Sequence, residues 1–113
     1  ELEDTPENVQ ATLMKLTTRA IKKAIYRSGL DTGEVYVCGG GAYNSHLLEQ
    51  LRWRLRKHHW SVQTTADLGL NPTWVEGTAF AWLAMRFMNQ LSGNLPAVTG
   101  ASGYRVLGTI TSV

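Results

Sequence analysis

A run of β-branched and aromatic residues that stops at three consecutive glycines is the feature that most constrains how this chain can fold. The run Glu34-Val35-Tyr36-Val37-Cys38 is typical of a buried strand, and Gly39-Gly40-Gly41 ends it. Asn44 or Ser45 can then cap a helix that continues to about Lys57. The sequence therefore predicts a strand, a backbone turn without side chains and a helix in immediate succession.

Helices and strands alternate along the rest of the chain. An amphipathic helix is predicted over about residues 6–28, because apolar residues recur at helical spacing and Thr5 can cap its start. A second strand is predicted over residues 61–65 and a third helix, buried on most sides, over about 73–91. The tail offers at most one short strand, at 104–107. This order favours an α/β fold with a small, mostly parallel sheet.

The predicted sheet is thin for a free-standing protein. Two or three strands leave exposed edges and little surface on which to build a core. The 113 residues suffice for about one domain. We therefore expect residues 1–113 to form a single, incomplete domain that belongs to a longer chain.

Composition and charge exclude several classes of function. A net charge of +2 is too weak to predict nucleic-acid binding, and the basic run at 52–59 is interpreted as a solvated helix surface. The longest uncharged apolar stretch, at 77–85, is too short to cross a membrane. The acidic start does not resemble a secretory signal, so the cytoplasm is the default location.

The cysteine and histidine content argues against a protein metal site. Cys38 is the only cysteine, which excludes an internal disulfide and a thiolate cluster, and it is predicted to be a small buried hydrophobic residue. His58 and His59 are adjacent and have no third ligand nearby in the sequence. No metal-ligating residue is therefore predicted.

The glycine turn is the strongest candidate for a binding site. A backbone without Cβ atoms allows close approach of a ligand, and free amides at the start of the next helix favour phosphate. Ligands of open α/β sheets bind beyond the carboxyl ends of strands, where these glycines are expected. Asn44 replaces the third glycine of the dinucleotide fingerprint, and the Walker pattern is absent. From spacing alone, ligand contact and a purely structural turn stay equally open.

Two carboxylates follow the second predicted strand. Glu76 has two interpretations. Residues 73–76 (Thr-Trp-Val-Glu) fit a helix capping box, in which the glutamate bonds a backbone amide at the helix start. Alternatively, a carboxylate at the site could hydrogen-bond to a sugar hydroxyl or to a metal-bound water. Asp67 lies in the loop before Glu76, where aspartate more often forms a turn with its own backbone.

Four segments carry a resemblance to known families. Residues 37–44 (VCGGGAYN) resemble the adenosine-motif glycine segment of the sugar-kinase, actin and heat-shock chaperone ATPase superfamily. Residues 7–13 (ENVQATL), 76–84 (EGTAFAWLA) and 94–102 (NLPAVTGAS) resemble segments of 1,6-anhydro-N-acetylmuramic acid kinases, in the same order. The resemblance implies the C-terminal part of an actin-like, ribonuclease H-like nucleotide-binding lobe.

The resemblance also implies an activity and a site. Kinases of this family serve bacterial cell-wall recycling, using ATP and Mg²⁺ to open the anhydro ring with water and phosphorylate O6, which gives N-acetylmuramic acid 6-phosphate. The resemblance places four residues at the nucleotide, namely Gly39, Gly40, Gly41 and Asn44. It places Glu76, as the catalytic candidate, near the sugar and the transferred phosphate. The implied partners are the anhydro-sugar and the rest of the kinase chain; a homodimer stays open.

Two parts of the family pattern are not found in this sequence. The family's phosphate loop and the aspartate that activates the attacking water lie upstream of anything present here. We therefore expect the chain alone to be inactive and to bind ATP weakly or not at all. Two alternatives stay open: another carbohydrate kinase of the superfamily, which need not keep Glu76 or residues 94–102, and a binding module without catalysis.

Overall fold

The computed structural model describes residues 5–111 and divides the chain into two compact units, one ending at Thr73 and the other beginning at Trp74. The first unit contains two helices and two strands: α1 (Pro6–Arg27), β1 (Gly33–Val37), α2 (Ser45–Leu55) and β2 (Trp60–Thr64). The second contains α3 (Val75–Met88) and the short α4 (Pro96–Thr99). The predicted alternation of helices and strands is confirmed, and α4 is an addition to it.

Strands β1 and β2 form a two-stranded parallel sheet within the described residues. Gly33 pairs with Trp60 at one end, and Val37 pairs with Thr64 at the other. Parallel pairing needs a crossover connection, which α2 supplies. The carboxyl ends of both strands consequently lie at the same edge, and the glycine turn leaves the sheet from this edge.

The core of the first unit lies between α2 and the sheet. Leu48, Leu51 and Leu55 of α2 are buried together with Val62 of β2. Ile21 and Ile25 of α1 pack against this cluster, as do other half-buried residues of the strands. The inner face predicted for α2 is therefore confirmed, and it fixes the helix that follows the glycine turn.

Helix α1 buries only part of its predicted apolar stripe. The side chains of Val9, Leu13 and Leu16 are exposed, at 46%, 57% and 64%. The fully buried residue is instead Thr18, whose Oγ1 donates to the Met14 carbonyl at 3.0 Å. The same oxygen accepts a hydrogen bond of 2.9 Å from Nε of the half-buried Arg54. The basic run is thus not purely a solvated surface, because one of its members joins α2 to α1.

Replacing Thr18 with valine is expected to destabilise the fold by about 1–3 kcal/mol, because the Arg54 Nε–H would lose its acceptor in a half-buried position. Thr17→Val is the matched control, since the Thr17 hydroxyl is exposed and bonds only its own helix, to the Leu13 carbonyl at 3.0 Å. Urea unfolding of both variants measures the difference. Equal losses would contradict the structural role of the Thr18–Arg54 bond.

The prediction that the third helix is buried on most sides is wrong. Helix α3 is shorter than expected and presents Phe80, Trp82 and Met88 to solvent, at 63%, 49% and 70% exposure. Within its unit, the tail covers one face only: Leu83 lies beside Gly93, and the Phe87 ring lies beside Gly108. The remaining apolar faces of such a helix are buried only when further secondary-structure elements pack on them.

Two further predictions are corrected. Cys38 is exposed, because β1 ends at Val37 and the cysteine already belongs to the turn. Residues 104–107 form no strand; the Asn94 side chain holds this part of the tail instead. Its Nδ2 donates to the Gly103 carbonyl at 3.0 Å, and its Oδ1 accepts from the Arg105 amide at 2.7 Å.

Among the described residues, no helix combines the length and apolarity that a membrane crossing requires.

Candidate functional site

The glycine turn, residues 39–43, has a backbone conformation that depends on its first residue, Gly39. Gly39 has φ 69° and ψ −163°, a conformation that is essentially restricted to glycine. Its amide donates to the Pro72 carbonyl at 2.9 Å. A short 3₁₀ turn, Gly40–Tyr43, follows and leads into α2. The direction of the chain after β1 is therefore fixed by backbone conformation and by one hydrogen bond from the neighbouring loop.

The three glycines differ in what a side chain would meet. A Cβ on Gly41 would lie 3.3 Å from Leu47 Cδ2, a tight contact that the Leu47 side chain would have to relieve. The positive φ explains the glycine at position 39. Gly40 has neither reason, because its φ is ordinary and a Cβ would meet no atom within 4 Å. Within residues 5–111, the Gly40 and Gly41 amides also have no hydrogen-bond acceptor. The turn is open on the side of Gly40.

Asn44 is the cap of α2, and Ser45 is the first helical residue. The Leu47 amide donates to Asn44 Oδ1 at 3.0 Å. This bond satisfies one of the amides that a helix start leaves without an internal partner. Asn44 Oδ1 is thus used within the fold, and Nδ2 is the side-chain atom that can donate to a ligand.

Asp67 is a turn-former, as expected of a loop aspartate. It lies in the 3₁₀ turn Thr65–Leu68 directly after β2, and its Oδ2 accepts from the Thr64 amide at 2.8 Å and from Thr64 Oγ1 at 3.1 Å. The hydrogen bond from the Thr64 backbone is the main cause that lowers the pKa of Asp67, and the Thr64 hydroxyl adds to it. Both bonds favour the charged carboxylate.

The lowered pKa predicts how this loop responds to acid. A carboxyl group whose pKa is depressed by folding stabilises the protein above its ordinary value of 3.8 and loses this contribution as pH falls through the folded pKa. Asp67→Ala is therefore expected to destabilise the protein at neutral pH, with a difference from wild type that shrinks below that value. Thermal unfolding across pH 7 to about 3 measures it. A difference independent of pH would contradict the assignment.

Asn71 connects the glycine turn with the loop that precedes α3. Its Oδ1 accepts from the Tyr43 hydroxyl at 3.2 Å. It also accepts from the Thr73 amide at 3.0 Å and from the Thr73 hydroxyl at 2.8 Å. No sequence motif predicts a role for Asn71. The only signal was the Asn-Pro dipeptide, which is typical of the start of a turn.

Glu76 lies in the first turn of α3 with an exposed side chain, and the predicted capping box is wrong. The residue at the cap position is Trp74, which makes no side-chain capping bond. The reason is that residues Pro72–Trp74 form their own 3₁₀ turn, which moves the cap position from Thr73 to Trp74. The capping interpretation of Glu76 therefore fails, and its carboxylate is not needed to start the helix.

The structure brings together four of the five predicted site residues. Gly39, Gly40, Gly41 and Asn44 follow one another at the carboxyl edge of the sheet in the first unit, whereas Glu76 belongs to the second unit. Within the described part of the chain, no group of three His, Cys, Asp or Glu side chains is placed to hold a metal ion. The first unit therefore offers an open glycine turn, and the second unit offers an exposed carboxylate.

Comparison with known proteins identifies the family. The model of the anhydro-N-acetylmuramic acid kinase family (AnmK) matches residues 1–113. An anhydro-N-acetylmuramic acid kinase of Acinetobacter baylyi is 88% identical over 113 residues, which are 100% of this chain and 30% of the relative. A kinase of the same name from Shewanella halifaxensis is 53% identical over 102 residues, covering 90% of this chain and 27% of the relative.

A third relative agrees with the other two. The anhydro-N-acetylmuramic acid kinase of Thiobacillus denitrificans is 50% identical over 105 residues, covering 93% of this chain and 28% of the relative. The chain thus spans less than a third of the length of these curated relatives. Because the family model covers the entire sequence, the chain belongs to the anhydro-N-acetylmuramic acid kinase family.

Proposed function

We propose that residues 1–113 are the C-terminal part of the nucleotide-binding lobe of an ATP-dependent kinase acting on 1,6-anhydro-N-acetylmuramic acid. The observation that carries the nucleotide role is Gly40. Among residues 5–111, no packing contact or backbone angle requires a glycine there, since its φ is ordinary and a Cβ would meet no atom within 4 Å. A residue without a side chain is then best explained by a ligand that must approach the backbone closely.

The chemistry of the turn supports an anionic nucleotide. The Gly40 and Gly41 amides lack acceptors within residues 5–111, so they can donate to a ligand. Helix α2 begins at Ser45, after the end of the 3₁₀ turn and the Asn44 cap, and its positive dipole end favours negative charge. The turn also lies beyond the carboxyl end of β1, where open α/β sheets bind their ligands. ATP satisfies all three conditions.

Glu76 is proposed as the carboxylate that contacts the sugar and orients it for phosphoryl transfer. The proposal is supported by its free carboxylate in the first turn of α3 and by the failure of the capping alternative. In the proposed reaction, water opens the anhydro ring and O6 receives the phosphoryl group from ATP. Positioning and electrostatic stabilisation dominate such transfers. The base that activates the water is proposed to lie in another part of the full-length protein.

The described residues form no protein cluster that could hold Mg²⁺ without the nucleotide. Within residues 5–111 there is no cluster of three acidic, His or Cys side chains, and Mg²⁺ is usually held by carboxylates together with substrate phosphates. We therefore propose that the ion, which would neutralise phosphate charge, is held by ATP and by residues outside this chain. The expected location of the enzyme is the cytoplasm, where ATP is available.

An activity assay tests the proposed function. The full-length protein that carries this sequence is expected to release ADP in the presence of ATP, Mg²⁺ and 1,6-anhydro-N-acetylmuramic acid, and mass spectrometry should identify N-acetylmuramic acid 6-phosphate. Glycerol, glucose and N-acetylglucosamine serve as competing acceptors. Preference for one of these would support another carbohydrate kinase of the superfamily. No turnover with any acceptor would favour a binding module. The isolated chain is expected to be inactive.

A further inference from the structure

The glycine turn is held by the loop that follows β2 as well as by its own residues. The Gly39 amide, at the start of the turn, donates to the Pro72 carbonyl at 2.9 Å. The Tyr43 hydroxyl, on the last residue of the turn, donates to Asn71 Oδ1 at 3.2 Å. Two consecutive loop residues thus contact the two ends of the turn. The open glycine, Gly40, lies between these contacts.

Asn71 is the residue that gives this loop its shape. Besides Tyr43, its Oδ1 accepts from the backbone amide and from the hydroxyl of Thr73, at 3.0 and 2.8 Å. These two bonds close the loop around Pro72, which is buried. With the loop closed, the Pro72 carbonyl keeps its position opposite the Gly39 amide. One side-chain oxygen therefore supports both contacts between the loop and the turn.

We propose that Asn71 is a positioning residue for the nucleotide, acting through the glycine turn. It holds the turn in the conformation that presents the Gly40 and Gly41 amides, without touching the ligand itself. The proposal rests on the proposed role of the turn in binding ATP. Preorganised donors bind better because they need no ordering when the ligand arrives, so loss of the support should appear as lower nucleotide affinity.

The position of Asn71 separates this role from a general contribution to the fold. Asn71, Tyr43 and Thr73 are exposed, and none belongs to the buried cluster of α2 and β2. Their loss should therefore change the local geometry of the turn with little effect on global unfolding. A residue with only a structural role would instead lower stability and affect all substrates alike.

The test uses the full-length protein and ADP as the probe. Asn71→Ala removes three hydrogen bonds, of which only the one from Tyr43 reaches the turn directly. It is expected to weaken ADP binding in titration calorimetry about three- to tenfold, the effect of that one bond. The KM for ATP should rise by a similar factor, with the KM for the anhydro-sugar and the melting temperature close to those of wild type. The matched control is Asn89→Ala, which removes an exposed asparagine that bonds only its own helix, to the Met85 carbonyl.

A double-mutant cycle decides whether the bond to Tyr43 carries the effect. Tyr43→Phe and Asn71→Ala remove the same bond, so their combined effect on ADP affinity should be smaller than the sum of the single effects. Unchanged ADP affinity in Asn71→Ala, a parallel rise in both KM values, or additive effects would overturn the proposal. Failure of the wild-type protein to bind ADP would instead overturn the proposed function of the turn.

Discussion

Gly40→Val in the full-length protein is expected to lower the affinity for ADP about ten- to hundredfold, the usual cost of forcing extra methyl groups into a well-packed contact. The fold itself tolerates the change, because a Cβ at this position meets nothing within 4 Å and the φ angle is ordinary. The melting temperature should therefore stay close to that of wild type. Calorimetric titration with ADP, together with thermal unfolding, measures both quantities.

Gly29→Ala provides the reciprocal control for the Gly40 variant. Gly29 ends α1 with φ +76°, so an alanine there is strained and should lower stability. It lies away from the turn in the sequence and should leave ADP affinity unchanged. Full ADP affinity in Gly40→Val would remove the physical basis for placing the nucleotide at this turn, and the family relationship alone would then support it.

Glu76→Gln is expected to reduce kcat about 10²-fold, the cost typical of a substrate held out of its reactive position. The KM for ATP should change little, because the nucleotide is proposed to bind at the glycine turn. Glutamine keeps the size of the side chain, and Glu76 makes no helix-capping bond, so folding should be unaffected. Steady-state kinetics with both substrates varied on the full-length protein separate the two parameters.

Glu34→Gln is the control for the Glu76 variant. Glu34 is an exposed carboxylate of β1 that accepts only from the Tyr36 hydroxyl, at 2.9 Å, and should be dispensable for turnover. Similar kcat values for the wild type and Glu76→Gln would assign the catalytic carboxylate to another residue. An equal loss in both variants would indicate a general effect of charge and not a specific role.

The glycine turn could be predicted from sequence because its causes are local. The strand, the three glycines and the Asn44 cap follow one another within eleven residues or so, and each acts through its own backbone or that of a near neighbour. The parallel pairing of β1 and β2 followed from the order of elements and the helix between them. Asp67 was likewise interpreted correctly, because its partner Thr64 is three residues away.

The failed predictions had causes that the capping and periodicity patterns do not contain. Thr73 fits a capping box in sequence, yet residues Pro72–Trp74 form a separate 3₁₀ turn, so that α3 begins one residue later than the box requires. The periodicity of α3 indicated burial, but apolar residues show only which faces can be covered, and Phe80 is 63% exposed. Thr18 was unremarkable in sequence because its partner, Arg54, lies on a different helix.

The contact between Gly33 and Trp60 gives this protein a built-in optical probe. The Trp60 ring lies so close to Gly33 that a Cβ there would be 2.6 Å from the ring, and the contact exists only while β1 and β2 are paired. The chain has four tryptophans, and the other three are all exposed, so their emission changes little on unfolding. A red shift in fluorescence should therefore report the separation of the two strands.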